Sequence, residues 1–151
     1  MINTNKVIKE HGLKLTKSLG QNFLTDINII KKIVEAGEVS SSDLVLEIGP
    51  GIGSMTAEIA KCAGKVIAVE IDKNLIPALN ENLGMFSNVS VVNQDIMKTD
   101  IKELIKDWTG PLKVISNLPY YITTPIIMML LETDIAWDTL VFMVQKEVAL
   151  R

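Results

Sequence analysis

Three glycines at alternate positions, Gly49, Gly51 and Gly53, are the first candidates for ligand binding in this sequence of 151 residues. They follow the mostly apolar run 43–48 and precede Ser54, from which apolar residues recur at helical spacing. A buried strand that turns through glycines into a helix directs backbone N–H groups towards a ligand, and the missing Cβ atoms allow close approach to the main chain. The pattern predicts a nucleotide-type binding turn.

Two carboxylates lie at the ends of the next two strand-like runs. Glu70 lies roughly 20 residues beyond the glycine turn, where a carboxylate can accept both hydroxyls of a ribose. Asp95 can accept a hydrogen bond from an adenine amino group. The alternatives are a solvated strand end for Glu70 and an ordinary Asx turn for Asp95.

The run from Asn117 to Tyr120 carries the sharpest chemical signal in the sequence. An asparagine at a buried strand end packs poorly, but its side-chain carbonyl can accept a hydrogen bond from a substrate. Pro119 fixes its own backbone and keeps Leu118 extended, and Tyr120 offers a flat face for stacking a planar substrate. The alternative is an ordinary strand-to-helix loop with a core tyrosine.

Five strand-like runs alternate with helical patterns, and the candidate residues follow four of them. The predicted strands are 43–48, 65–72, 89–92, 112–115 and 139–144. This alternation predicts a parallel sheet with helices on both faces, in which ligands bind at the carboxyl ends of the strands. One helix is expected to reach Cys62 and to bury its thiol, and another to be capped by Thr124 with Pro125 at its first position.

The composition is that of an ordinary globular domain, with 48% hydrophobic residues, 22% charged residues and a net charge of −3. Residues 1–25 are expected to form a basic N-terminal arm with some local structure, and His11 within it receives no catalytic role. A single cysteine excludes a disulfide or a cysteine-based metal cluster, and no metal site is predicted. The N-terminus has no signal-peptide pattern and the apolar run 126–131 is too short to span a bilayer, so a cytoplasmic protein without membrane contact is expected.

Together these residues resemble the class I S-adenosylmethionine (SAM)-dependent methyltransferases, and more narrowly the ribosomal RNA small-subunit adenine N6,N6-dimethyltransferase family. The motifs that carry the resemblance are 17–24 (KSLGQNFL), 47–53 (EIGPGIG), 69–72 (VEID), 94–95 (QD), 117–122 (NLPYYI) and 145–147 (QKE). The motif NLPY is similar to the Asn/Asp-Pro-Pro-Tyr motif of methyltransferases that act on planar amines.

The resemblance implies a Rossmann-like methyltransferase domain over residues 26–151, with SAM as its cofactor. Glu70 would bind the ribose hydroxyls and Asp95 the adenine amino group, while Ile71 and Ile96 would enclose the adenine ring. The full set of cofactor-binding residues that it implies is Gln21, Asn22, Leu24, Gly49, Gly51, Gly53, Glu70, Ile71, Asp95, Ile96 and Asn117.

The implied reaction is dimethylation of two adjacent adenosines in the 3′-terminal hairpin loop of small-subunit (16S) rRNA, linked to maturation of the immature 30S subunit. Asn117 and the Leu118 carbonyl would bind the target amine next to Pro119, and Tyr120 would stack on the flipped base. The family continues beyond position 151 with further strands and a helical domain. The chain is therefore expected to be an N-terminal catalytic-domain fragment that ends after about the fifth strand, and to act as a monomer.

Three other functions stay open from the sequence. A large-subunit (23S) rRNA adenine N6-methyltransferase that confers macrolide resistance shares a similar Asn-x-Pro motif, although Leu118 and the run 120–122 favour the small-subunit enzyme. An NAD oxidoreductase is opposed by Ser54, which stands where the dinucleotide fingerprint has its third glycine, and by the lack of a catalytic histidine. A mainly non-catalytic factor for small-subunit assembly is the third.

Overall fold

Five parallel strands form the centre of the molecule, as the alternating pattern predicted. The computed structural model describes residues 2–12, 24, 26–118 and 122–144. The strands β1 to β5 are Leu44–Ile48, Lys65–Glu70, Val89–Asn93, Leu112–Asn117 and Thr139–Met143, in the spatial order β3-β2-β1-β4-β5. The chain moves outward from β1 to β3 and then returns to β4, so the topological switch lies between β1 and β4, where such folds bind ligands.

Helices cover both faces of the sheet. They are α1 Thr4–His11, α2 Ile27–Ala36, α3 Ser54–Ala60, α4 Ile76–Leu83, α5 Ile101–Ile105 and α6 Thr123–Glu132, with short 3-10 turns at Lys73–Leu75 and Ile96–Lys98. On one face, Leu46 and Ile48 of β1 share an apolar layer with Ile126 of α6. On the other face, Val45 packs in a layer with Ile59 of α3. Burial on both faces explains why β1 reads as a nearly continuous apolar run.

The N-terminal arm contains a regular two-turn helix, α1. The Asn3 side chain caps its start by accepting a hydrogen bond from the Lys6 N–H at 3.0 Å. Gly12, with a φ of 62°, ends it in the left-handed conformation that glycine adopts without strain. Val7 is 7% exposed, so the helix is packed on the domain and is not a solvated arm.

Two local expectations were wrong. The helix α6 begins at Thr123 rather than after Thr124, Ile122 occupies the cap position without a side-chain hydrogen bond, and Pro125 is the third helical residue. Proline is tolerated there because the N–H groups of a first helical turn have no intrahelical acceptor. Cys62 is exposed, because α3 ends at Ala60 and the cysteine lies beyond it.

A buried ion pair joins the amino ends of the strands, at the sheet edge opposite the glycine turn. Lys113 of β4 is 5% exposed, and its Nζ lies 2.9 Å from Asp43 Oδ2 and 2.8 Å from the Glu38 carbonyl oxygen. The half-exposed Asp138 is more distant, at 3.8 Å. Burial raises the pKa of Asp43, but hydrogen bonds from Lys113 and Ser40 outweigh it, and the net pKa is lowered. The carboxylate therefore stays ionised beside the lysine.

Replacing Asp43 with asparagine is expected to lower the free energy of unfolding by about 3 kcal/mol, because it leaves a buried lysine without its main counter-charge. Urea unfolding monitored by circular dichroism measures the loss. The matched control is Asp138→Asn, which removes the exposed partner of the same lysine and should cost less than about 1 kcal/mol. Equal losses in the two variants would contradict the dominance of the Asp43 pair.

Candidate functional site

The glycine turn has the backbone that its spacing predicted. Gly49, Gly51 and Gly53 have φ angles of 71°, 64° and 94°, all in the left-handed region where a side chain would be strained. The Gly49 N–H donates to the Val69 carbonyl at 2.9 Å, which anchors the start of the turn to β2. Gly53 leads directly into α3. The strand, turn and helix therefore follow one another as expected.

Glu70 binds the turn with its side chain. The Gly51 N–H donates to Glu70 Oε1 at 3.1 Å, and the Asp72 N–H donates to Oε2 at 2.9 Å. Glu70 is 4% exposed, so it is not a solvated strand end. Burial raises its pKa, and the backbone N–H groups of Asp72, Gly51 and Ile71 oppose this shift without cancelling it. Each carboxylate oxygen keeps a second lone pair, so Glu70 can still accept two hydroxyls.

The end of β3 lies beside Glu70, because Asn93 pairs with Glu70 in the sheet. The Asn93 side-chain amide donates to the carbonyls of Glu70 and Ile71, at 2.8 and 3.3 Å. Sequence reasoning assigned no role to Asn93. The available signal was an asparagine at a strand end, which can bond the open carbonyls of a neighbouring parallel strand.

Asp95 caps the short turn Ile96–Lys98. Its Oδ1 accepts the Met97 N–H at 2.9 Å, so the Asx-type arrangement considered for this residue is present. Within the described residues this bond uses Oδ1, and Oδ2 retains its acceptor capacity. The structure therefore accommodates a capping role and a ligand-binding role in one carboxylate.

The two isoleucines predicted to enclose an adenine ring differ in exposure. Ile71 is 42% exposed at the end of β2, directly after Glu70. Ile96 is 6% exposed and belongs to the apolar layer that β1 and α6 share. A flat apolar ligand would gain most of its contact area from Ile71.

The end of β4 is attached to the beginning of the glycine turn. The Ser116 hydroxyl donates to the Ile48 carbonyl, and Asn117 is the last residue of β4, paired with Met143. Leu118 is fixed by a buried side chain and by its N–H, which donates to the Met143 carbonyl at 3.2 Å. The structure thus brings the ends of β1 to β4 together at one edge.

The remaining predicted site residues are described only in part. Leu24 packs against the apolar layer between the sheet and α2. Gln21, Asn22, Pro119 and Tyr120 lie outside the described residues.

Glu47 is a buried acid to which sequence reasoning gave no role, although it opens the glycine motif. It is 1% exposed in the middle of the sheet, and the Thr56 hydroxyl of α3 donates to its Oε1. Burial raises the pKa of Glu47 to about 8; the Thr56 hydrogen bond opposes this shift and the charge of Glu70 adds to it. The signal that could have identified it is an acid within an otherwise apolar strand.

Two features are absent from the described part of the chain. It contains no group of three or more histidine, cysteine, aspartate or glutamate side chains that could hold a metal ion. None of its helices has the length and apolar character needed to cross a membrane.

A parallel sheet in the order β3-β2-β1-β4-β5, with a glycine turn after β1 and acids after β2 and β3, defines the class I SAM-dependent methyltransferase fold. A family model described as "Ribosomal RNA adenine dimethylase" matches residues 12–151. The chain belongs to this family.

Individual relatives agree with this assignment. The "Ribosomal RNA small subunit methyltransferase A" of Ligilactobacillus salivarius is 56% identical over 151 residues, which cover 98% of this chain and 51% of that protein. The chain spans about half the length of the curated relatives it matches. Among solved structures, a dimethyladenosine transferase from Plasmodium falciparum has a TM-score of 0.72 at 32% identity, over 85% of this chain and 45% of the other. The 23S rRNA methyltransferase ErmE has the same TM-score at 33% identity, over 85% and 50%.

Glu47→Gln is expected to flatten the pH dependence of stability between about pH 5 and 8. The native carboxyl keeps its proton up to about pH 8, whereas its ordinary pKa is 4.5, so the native state binds more protons in this window. Stability must then fall as pH rises, by up to about 1.4 kcal/mol per pH unit for one group. Glutamine can still accept the Thr56 hydrogen bond but does not titrate.

The measurement is urea unfolding at a series of pH values, with Glu35→Gln, an exposed carboxylate of α2, as the control. The stability of the variant should still depend on pH to some extent, because the pKa of Glu70 is also raised. Parallel stability curves for the wild type and Glu47→Gln would contradict the assignment.

Proposed function

We propose that this chain is the SAM-binding part of an rRNA adenine N6,N6-dimethyltransferase that acts on the small ribosomal subunit. The observation that carries the proposal is the convergence of the glycine turn, Glu70, Asp95 and Asn117 on the ends of four neighbouring strands. Family membership and the names of the close relatives support the same activity. In this proposal residues 26–151 form the methyltransferase domain, and residues 1–25 the segment that completes the cofactor site.

The residues at the sheet edge fit the parts of SAM. The carboxylate of Glu70 suits the ribose hydroxyls, Oδ2 of Asp95 suits the adenine amino group, and the exposed face of Ile71 suits the ring. The three turn glycines leave space for close approach to the main chain. The remaining residues that we assign to the cofactor are Gln21, Asn22, Leu24, Ile96 and Asn117. When bound, SAM supplies an electrophilic methyl group on a positively charged sulfonium.

At the substrate amine, the chain acts by positioning and electrostatics. An exocyclic amine is a weak nucleophile because its lone pair is delocalised into the ring. The side-chain oxygen of Asn117 and the carbonyl of Leu118 would accept hydrogen bonds from its two N–H groups and so localise the lone pair on the nitrogen. Methyl transfer would then need no strong base. The buried side chain and the N–H bond of Leu118 hold its peptide in place. In this proposal Pro119 would restrain this backbone, and Tyr120 would stack on the base once it is flipped out of the loop.

The RNA target in this proposal is the pair of adjacent adenosines in the 3′-terminal hairpin loop of 16S rRNA. The protein would meet it as a monomer in the cytoplasm, on the immature 30S subunit. The relatives that are more than half identical to this chain are named ribosomal RNA small subunit methyltransferase A, which supports this target. Dimethyladenosine should then appear in 16S rRNA when the protein is supplied to cells that lack this modification.

A 23S rRNA target is the second candidate, because ErmE matches the fold as well as the Plasmodium enzyme does. Mass spectrometry of nucleosides from separated subunits distinguishes the two. Dimethyladenosine in 23S rRNA alone would favour the second candidate. A mainly structural role in subunit assembly would instead leave 30S maturation normal in a catalytically inactive variant.

Calorimetric titration tests the cofactor. We expect binding of SAM but not of NAD, and a loss of affinity of about 100-fold or more in Glu70→Ala, because hydrogen bonds to a charged group contribute about 1.5–3 kcal/mol each. Glu35→Gln removes an exposed carboxylate and should leave the affinity unchanged. NAD binding as tight as that of SAM, or tight SAM binding by Glu70→Ala, would reject the assignment.

Asn117→Ala tests the amine site. Methyl transfer to unmethylated 30S subunits should fall roughly 10²- to 10³-fold, as when a positioned polar group is removed from other active sites. The dissociation constant for SAM should change only a few-fold. Asn117→Asp keeps an acceptor oxygen and should retain more activity than the alanine variant. Turnover at the wild-type rate in Asn117→Ala would exclude this role.

A further inference from the structure

The N-terminal helix α1 packs against the glycine turn. Val7 of α1, Ile52 of the turn, and Leu75 and Ala78 at the start of α4 form a small apolar cluster of their own, separate from the two layers on the sheet. Val7 is 7% exposed and Ile52 is 2% exposed. The side chain of Ile52 is thus held between α1 and α4.

The helix α4 contacts both α1 and the glycine turn. Its Asn82 side-chain amide donates to the Ile52 carbonyl at 2.8 Å, and the pair His11–Glu81 joins the last residue of α1 to α4 at 2.8 Å. A Cβ on Gly53 would lie 3.0 Å from Leu79, so the turn also rests closely on α4. The turn and α1 are therefore two neighbours on one supporting helix.

We propose that α1 is a positioning element of the cofactor site, in which Val7 acts through Ile52 and the His11–Glu81 pair holds the helix in place. The inference rests on the proposed SAM-binding function. Ile52 lies between Gly51, whose N–H bonds Glu70, and Gly53, which begins α3. Glycine backbone has many accessible conformations. The turn has two side chains that can fix it, those of Pro50 and Ile52, and it is Ile52 that packs against α1.

Val7→Ala is the test, with two readouts at a temperature well below unfolding. We expect the dissociation constant for SAM to rise roughly three- to tenfold, the range for residues that act on a site without contacting it. We expect the amide of Gly51 to exchange with deuterium faster in the ligand-free protein, because its bond to Glu70 is less firmly held. Val7→Ile keeps a branched apolar side chain, so its dissociation constant for SAM and its exchange rate at Gly51 should both stay close to those of the wild type. Lys6→Ala, an exposed residue of the same helix, is the matched control.

Glu81→Ala is a second variant that keeps the apolar cluster, and its exposed side chain makes misfolding a minor concern. It should raise the dissociation constant by about twofold, as expected for loss of a partly exposed pair. A lower melting temperature in Val7→Ala with unchanged SAM affinity and unchanged exchange at Gly51 would overturn the proposal. If the wild-type chain bound no SAM, the proposed function would fail, and exchange at Gly51 would still decide whether α1 positions the turn.

Discussion

The carboxylate of Glu70 is the interaction on which the site depends. One oxygen accepts the N–H of Gly51 and the other accepts the N–H of Asp72, and the whole group is 4% exposed. Hydrogen bonds to a buried charged acceptor are among the stronger ones in proteins. This side chain therefore joins the middle of the turn after β1 to the end of β2, in addition to the backbone bond from Gly49 to Val69. The Asn93 amide extends this connection to β3 through the Glu70 carbonyl.

The two edges of the sheet use buried charge in different ways. At the amino edge, Lys113 and Asp43 neutralise one another, and the consequence is stability. Towards the carboxyl edge, Glu47 and Glu70 are both acids. Burial raises the pKa of each, and the charge of Glu70 adds to the shift of Glu47. Such an arrangement is unfavourable for the isolated fold and suits a ligand that brings positive charge and hydrogen-bond donors. This contrast agrees with the rule that ligands bind at the carboxyl ends of parallel strands.

Much of the fold followed from short-range patterns, and the exceptions have physical causes. The five strands and the glycine turn were predicted because apolar runs and glycine spacing act within a few residues. The prediction that Cys62 is buried was wrong because the end of a helix depends on small differences in capping energy. The prediction that Thr124 caps α6 was wrong because Thr123 already adopts the helical conformation. The packing of α1 was not predictable from local patterns, since its buried Val7 packs in a cluster with Ile52, which is distant in sequence.

The sequence alone determined the strand-turn-helix unit and the identity of the polar residues at the strand ends, because these depend on local composition and spacing. The family followed from the resemblance of its motifs to those of known proteins. The tertiary structure decided the strand order, the use of Glu70 as a link between Gly51 and Asp72, and the burial of Glu47. These features arise where segments distant in the chain meet, and no local pattern specifies which lone pair meets which N–H. The surroundings of an acid set its pKa, and crossover connections through α3 and α4 assemble those surroundings only in the folded chain.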